Sequence, residues 1–216
     1  MPERILPVVY NDRESETRTP SRPLVVIPAA ARDELSAMAA QPAISTAEAD
    51  LTRIAPGRPQ AAGRVISVSG RIVDQDERPV RRSVIEIWNA NSYGRYSHAL
   101  DTRNTAPLDP YFYGFGRAVT DDEGVYRFQT IKPGAYIARS DIGWWRPPHV
   151  HFSLLGGGVR LVTQMYFPEE PLNEQDYIHM VIPEPDRPRV IATRISPAEF
   201  RFDIVTRGRY QTPYSD

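Results

Sequence analysis

The alternation of apolar and polar residues that begins near Gly63 constrains the fold more than any other feature of the sequence. Val65–Val73 alternates with a period of two, and Ser83–Trp88 repeats the pattern after a charged turn. Five further strands are predicted at Val125–Phe128, Ala135–Ile137, His149–Leu155, Leu161–Phe167 and Phe200–Val205. Because no helical periodicity separates these runs, we predict an all-β sandwich rather than a parallel sheet.

The first 62 residues have a different pattern and are predicted to form an N-terminal arm. Ala29–Ala40 contains helix formers, and Ser45–Glu48 resembles a capping box, so we expect one or two short helices. The apolar run Leu24–Ile27 is expected to pack on a partner subunit. Residues 63–216 are then the β-sandwich domain with a C-terminal tail.

The composition limits the classes of partner and of metal site. The chain has 216 residues and no Cys, which excludes thiolate zinc and iron–sulfur sites. Its net charge is −1, so it lacks the basic character of a nucleic-acid-binding protein. The N-terminus has no signal pattern and no apolar run is long enough to span a bilayer, so we expect a cytoplasmic protein without membrane contact.

His149 and His151 form a His-x-His pair inside a predicted strand. Successive strand residues point to opposite faces, so both imidazoles lie on one face, about 6–7 Å apart along the backbone. Such a pair can supply half of a metal site, although two hydrogen-bonded histidines beside a polar groove would give the same pattern. Further ligands must come from His98, His179, carboxylates or the eleven tyrosines.

Several segments resemble the intradiol ring-cleaving dioxygenases, and the resemblance extends over roughly residues 63–208. Its strongest parts are Trp-Arg-Pro-Pro-His-Val-His in Trp144–Phe152 and Thr-Gln-Met-Tyr-Phe in Leu161–Phe167. The match is best to the β chains of the protocatechuate branch. The strand-and-turn pattern is also that of prealbumin-like or immunoglobulin-like sandwiches, so a non-enzymatic binding or structural module is the alternative function.

The resemblance implies a non-haem Fe(III) site with four ligands, namely Tyr96, Tyr136, His149 and His151. Fe(III) is a hard acid, and phenolate is a hard, electron-donating anion. A phenol with a pKa of about 10 ionises when such a cation replaces its proton. Zinc or copper would accept the histidines but has little use for two phenolates. The implied reaction is cleavage of protocatechuate or a related substituted catechol by O2, giving a cis,cis-muconate-type diacid.

Other residues acquire roles through the same resemblance. Tyr136 is the ligand that the substrate displaces, and it then acts as a base. Arg146 stabilises negative charge that develops on the ring, and Gln164 orients the imidazoles or polarises bound oxygen. Trp88 and Tyr166 are predicted pocket walls, although ordinary aromatic packing would explain them equally well.

One departure from the family pattern concerns the substrate. After the Pro-Gly-x-Tyr turn the family often continues with Pro-Trp, whereas this chain has Ile137-Ala138-Arg139. Loss of the aromatic ring at Ala138 would enlarge the pocket and admit a substituted catechol other than protocatechuate. The protocatechuate branch also builds its site between the β chain and an iron-free α chain. The resemblance therefore implies an α-type partner subunit in a higher oligomer.

Overall fold

The computed structural model of the protein describes residues 49–98, 101, 104–156 and 159–213. These residues include the short helical segments Pro171–Gln175, α1 (Tyr177–Met180) and Glu184–Val190. No helix in these ranges is long and apolar enough to cross a membrane. The strands are β1 (Val65–Val73), β2 (Val84–Trp88), β3 (Phe115–Val119), β4 (Val125–Ile131), β5 (Tyr136–Arg139), β6 (Trp144–Arg146), β7 (His149–Gly156), β8 (Val159–Tyr166), β9 (Thr193–Ser196), β10 (Glu199–Arg201) and β11 (Ile204–Val205).

The strands form two main sheets and a separate hairpin. One sheet is antiparallel, with the order β3-β2-β7-β8. In the other, β1 pairs with β4 antiparallel and with β10 and β11 parallel, and β9 lies beside β10. The hairpin consists of β5 and β6 alone. Along the chain, the hairpin follows β4 of the second sheet and precedes β7 of the first.

Both main sheets contribute to one hydrophobic core, which confirms the predicted sandwich. Apolar side chains of β1 and β4 face those of β2, β7 and β8 across this core. Four aromatic rings lie close together in this core, with the centroids of contacting rings 5.2–6.4 Å apart. These are Tyr126, Phe128, Phe152 and Phe202.

Strand β7 is buried on both faces from His149 to Leu154. Val150, Phe152 and Leu154 point into the core and are fully buried. His149 and His151 alternate with them, and each is only 1% exposed. Because side chains alternate along a strand, the hydrophobic core fixes the direction of both imidazoles.

The structure contains strands that the sequence pattern did not predict. Strand β3 has a glycine, Gly116, as its second residue, and this removes an apolar residue from the alternation. Strand β6 has three residues, which is too short for a period to be read. The prediction of one continuous strand over Phe200–Val205 is wrong, because β10 ends at Arg201 and β11 begins at Ile204.

The interruption between β10 and β11 follows from a close backbone contact with β1. The Phe202 carbonyl accepts a hydrogen bond of 2.5 Å from the Tyr126 hydroxyl, and the Asp203 carboxylate accepts one of 2.8 Å from Arg71 N–H. The backbone at Phe202 passes so close to Gly70 that an added Cβ would lie 1.8 Å from the Phe202 oxygen. Only glycine fits this position of β1.

The end of the predicted arm packs on the sandwich itself. Leu51 is 2% exposed and belongs to the main core, and its N–H donates to the carbonyl of Gln129 on β4. The predicted helices and the apolar run at residues 24–27 lie outside the described residues. The division of the chain at residue 62 and the contact of the arm with a partner therefore stay predictions.

We expect Gly70→Ala to lower the free energy of unfolding by about 1–3 kcal/mol, because the new methyl group collides with main-chain atoms that cannot move away. Denaturant titration followed by circular dichroism would measure the change. The neighbouring substitution Ser69→Ala adds no atom and should change stability by less than about 0.5 kcal/mol. Equal stability of the two variants would contradict the packing described here.

Candidate metal centre

The four predicted ligands come from three different parts of the fold. His149 and His151 lie on β7, on the face opposite the core. Tyr96 lies in the loop between β2 and β3, and Tyr136 is the first residue of β5. All four are buried, with exposed fractions of 1% for each histidine, 5% for Tyr96 and 7% for Tyr136. Residues distant in sequence therefore meet in one buried cluster.

Three polar atoms of this cluster form a compact triangle. The Tyr96 Oη lies 3.4 Å from His149 Nε2 and 3.2 Å from His151 Nε2, and the two Nε2 atoms are 3.1 Å apart. Bonds of about 2.1 Å to a shared ion, at angles of about 95–110°, place ligand atoms roughly 3.1–3.4 Å apart. The triangle therefore has the size of one face of a metal coordination shell.

Tyr136 lies against the same cluster. Its ring centroid is 5.7 Å from that of Tyr96, in an edge-on arrangement, and 5.9 Å from that of His149. Tyr136 belongs to a small apolar cluster with Tyr96 and Trp88. The structure thus brings together all four residues that the sequence nominated.

Two glycines allow the tyrosine-bearing loops to approach each other. Gly94 has a positive φ of 81°, and a Cβ there would lie 2.4 Å from the Ala135 carbonyl oxygen. A Cβ on Gly134 would lie 2.5 Å from the Ser92 oxygen. The Gly134 N–H also donates a hydrogen bond to the Asn91 carbonyl. This contact between backbones is what places the two tyrosines side by side.

Both imidazoles are held in a defined orientation. His149 Nδ1 lies 2.7 Å from the Pro147 carbonyl oxygen, which can only accept, so Nδ1 carries the proton and Nε2 presents its lone pair to the cluster. The His151 ring stacks on Trp88, with centroids 4.9 Å apart and planes 2° from parallel. Trp88 was predicted as a pocket wall, and its ring covers this imidazole.

A buried polar network adjoins the cluster on the side of the β5–β6 hairpin. Arg146 is fully buried, and its Nε forms an ion pair of 2.9 Å with Asp176, which is also fully buried. The Arg146 Nη2 donates to Gln164 Oε1 and, at 3.2 Å, to the Tyr166 hydroxyl. Gln164 is the cross-strand neighbour of His151. Arg146 was predicted as a cation facing the substrate, and here its charge is balanced by a carboxylate.

Tyr166 acts as a neutral hydrogen-bond donor in this network. Burial raises the pKa of its hydroxyl well above the ordinary value, and the Asp176 carboxylate raises it further, whereas Arg146 lowers it. The hydroxyl donates to Asp176 Oδ2 at 2.9 Å.

His179, which the sequence offered as a further ligand, lies beside Tyr166 of the network. His179 is 4% exposed and packs on Tyr166, with ring centroids 4.9 Å apart, and burial lowers its pKa. Among the described residues, no three of His, Cys, Asp and Glu gather as a metal site would require. A metal at this place therefore depends on tyrosine ligands.

Two residues of the network carry no signal that predicts their role from the sequence. Asp176 and Trp144 have no recognisable spacing relative to Arg146, although Asp176 precedes a short helix in the manner of an N-cap residue. The Trp144 indole N–H lies 3.1 Å from Asp176 Oδ1. Only this cap signal could have drawn attention to Asp176.

A cavity of about 550 Å³ borders the network. Gln164, Tyr166 and Ile178 form part of its wall. Its volume lies within the range of about 300–1,000 Å³ that is common for small-molecule sites.

Comparison with known proteins supports a family assignment. A family model described as Dioxygenase matches residues 40–208. The protocatechuate 3,4-dioxygenase beta chain of Burkholderia cepacia is 43% identical over 210 residues, which cover 93% of this chain and 89% of that protein. The protocatechuate 3,4-dioxygenase alpha chain of Pseudomonas putida is 30% identical over 167 residues, covering 74% and 79%.

Solved structures have the same fold at lower identity. An intradiol ring-cleavage dioxygenase from Tetranychus urticae gives a TM-score of 0.55 at 21% identity, covering 76% of this chain and 87% of that one. Hydroxyquinol 1,2-dioxygenase from Pseudomonas putida DLL-E4 gives 0.53 at 23% identity, covering 67% and 56%. These structures agree with the β-sandwich, while the family model and the sequence relatives cover most of the chain. The chain belongs to the intradiol ring-cleavage dioxygenase family.

Proposed function

We propose that this chain is the iron-bearing, β-type chain of an enzyme that cleaves protocatechuate or a related substituted catechol with O2. The product is a cis,cis-muconate-type diacid. The proposal depends above all on the convergence of Tyr96, His149 and His151 at 3.1–3.4 Å, with Tyr136 packed against them. A non-enzymatic prealbumin-like module would have no need for this buried polar cluster.

The donor set fits Fe(III). Two neutral imidazoles and two phenols offer N and O ligands without any thiolate, and phenolate oxygens favour a hard trivalent cation over zinc or copper(I). Tyr96, Tyr136, His149 and His151 would hold the ion. When bound, it would withdraw electron density from a chelated catechol and make the ring reactive toward O2.

Tyr136 is proposed to be the base that takes a proton from the substrate at its phenolate oxygen. It is the most exposed of the four proposed ligands and lies on the separate β5–β6 hairpin, outside the two main sheets. Its movement therefore disturbs less packing than movement of either histidine would. Tyr96 and the two histidines stay in place and define the site.

Arg146 is proposed to act next to the reacting ring through a fixed hydrogen bond to Gln164. The ion pair with Asp176 makes the buried group neutral overall, which lowers the cost of keeping a guanidinium away from water. Trp88 shields His151 from solvent by stacking.

An α-type partner chain in a higher oligomer completes the proposal. The relatives include alpha and beta chains of protocatechuate 3,4-dioxygenase, and identity to a beta chain, 43%, exceeds the 30% and 26% found for alpha chains. We therefore assign this chain to the β position. The cytoplasmic location stays a prediction from the sequence.

Loading the purified protein with ferric iron is expected to give about one iron per chain and a burgundy-red colour from tyrosinate-to-iron charge transfer. Visible absorption and metal analysis measure this. Tyr96→Phe should lose most of the band, whereas Tyr113→Phe, on an exposed loop tyrosine, should keep it. A protein that remains colourless and binds no iron would indicate that Tyr96, His149 and His151 only form hydrogen bonds with one another and do not hold a metal.

Tyr136→Phe is expected to lower kcat by about 10²-fold or more, because a positioned base contributes at least that much. The thermal unfolding midpoint should change little, since the ring remains. Oxygen uptake with catecholic substrate gives the rate, and Tyr113→Phe is the control. Full turnover by Tyr136→Phe would remove the proposed role of the hydroxyl.

Ala138→Trp tests how the pocket selects its substrate. Oxygen uptake is measured for catechol, protocatechuate, hydroxyquinol and 4-sulfocatechol, with the α-type partner present. We expect kcat/KM to fall by about 10-fold or more for the bulkiest accepted substrate. The indole would occupy the part of the pocket that the small side chain of Ala138 is expected to leave open. An unchanged order of preference would contradict a role for position 138.

A further inference from the structure

We propose that Asp176 is a positioning residue for Arg146. In this role its carboxylate holds the guanidinium in the orientation from which Arg146 reaches Gln164, the cross-strand neighbour of His151. The inference depends on the proposed function, because it concerns the same site. It adds a residue that touches neither the proposed metal ligands nor the reacting atoms.

The contacts of Asp176 show a carboxylate surrounded by donors. It is fully buried, and its Oδ1 lies 2.9 Å from Arg146 Nε, 3.1 Å from Trp144 Nε1 and 3.4 Å from the Ile178 N–H. Its Oδ2 accepts a hydrogen bond of 2.9 Å from the Tyr166 hydroxyl. Three hydrogen-bond donors, from Trp144, Tyr166 and Ile178, and the ion pair with Arg146 therefore converge on one side chain.

Electrostatics makes this arrangement restrictive. Arg146 and Asp176 both have no exposed side-chain surface, so neither charge can be compensated by water. The guanidinium is planar and rigid, so the ion pair at Nε and the hydrogen bonds at Nη2 together restrict its orientation. The Nη2 group then donates to Gln164 and Tyr166.

The network also couples two elements that are not part of the main sheets. Asp176 caps α1 through Ile178, while Arg146 and Trp144 belong to β6. Tyr177, the first residue of α1, packs on Trp144 with ring centroids 5.4 Å apart. Asp176 is therefore the junction through which α1 sets the position of the hairpin and of Arg146.

The test uses Asp176→Asn, which keeps the shape of the side chain and removes its charge. We expect kcat to fall by about 10- to 100-fold, as for other residues that orient active-site groups, while KM changes less than about twofold. Asp141→Asn is the matched control. It removes the exposed ion pair with Arg139 on the same hairpin and should leave both constants unchanged.

A readout independent of turnover follows Arg146 itself in the iron-free full chain. The order parameter of its Nε–H, assigned from the signal that Arg146→Lys removes, should be near 0.85 in the unsubstituted protein and below about 0.6 in Asp176→Asn. Asp176→Glu restores the carboxylate in a crowded place. It should recover rigidity and part of kcat, which a purely space-filling role would not allow.

Two results would overturn the proposal. One is a folded Asp176→Asn protein with unchanged kcat and a rigid Arg146. The other concerns the unsubstituted protein alone. If its Arg146 Nε–H is as mobile as the Nε–H of the exposed Arg139, Asp176 does not hold the guanidinium. If the parent protein cleaves no catechol while Arg146 loses its rigidity in Asp176→Asn, the proposed function fails and the positioning role stands.

Discussion

The burial of strand β7 on both faces is the constraint on which the site depends. Val150, Phe152 and Leu154 fill the space between the two sheets, and no register shift of the strand can keep them there while turning His149 and His151 elsewhere. The energy that stabilises the sandwich therefore also aims the imidazoles. A buried polar face needs partners, and the tyrosine loops provide them.

The second requirement is close backbone contact between two loops. Gly94 and Gly134 permit an approach that any side chain would block, and this approach sets Tyr96 and Tyr136 beside the histidines. The third is the neutral ion pair of Arg146 and Asp176, which lets a guanidinium stay in the dry interior behind Gln164. Packing, chain conformation and charge balance thus each fix a different group of the site.

Features created by interactions between neighbouring residues could be predicted from the sequence, whereas features created by contacts between distant segments could not. The alternation of β7 is local, so its strand and the shared face of His149 and His151 could be predicted from residue spacing. Tyr96 and Tyr136 carried no such signal, since their meeting depends on contacts between distant loops, and only the family resemblance nominated them. The sequence marks Asp176 only as an N-cap residue, and its pairing with Arg146 became visible only in the folded chain, because Arg146 lies on another element. The break at Phe202 was missed for the same reason, since it arises from packing against Gly70.

The hairpin β5–β6 carries both Tyr136 and Arg146, whereas Tyr96 and the two histidines belong to the sandwich and its loop. Tyr136 and Arg146 therefore lie on an element separate from those that carry the other three groups. Under the proposed function, changes at hairpin residues outside the buried core, such as Ala138, would alter which aromatic ring is accepted without weakening the interior of the protein. Related chains could therefore differ in the substrates they accept through substitutions confined to this short hairpin.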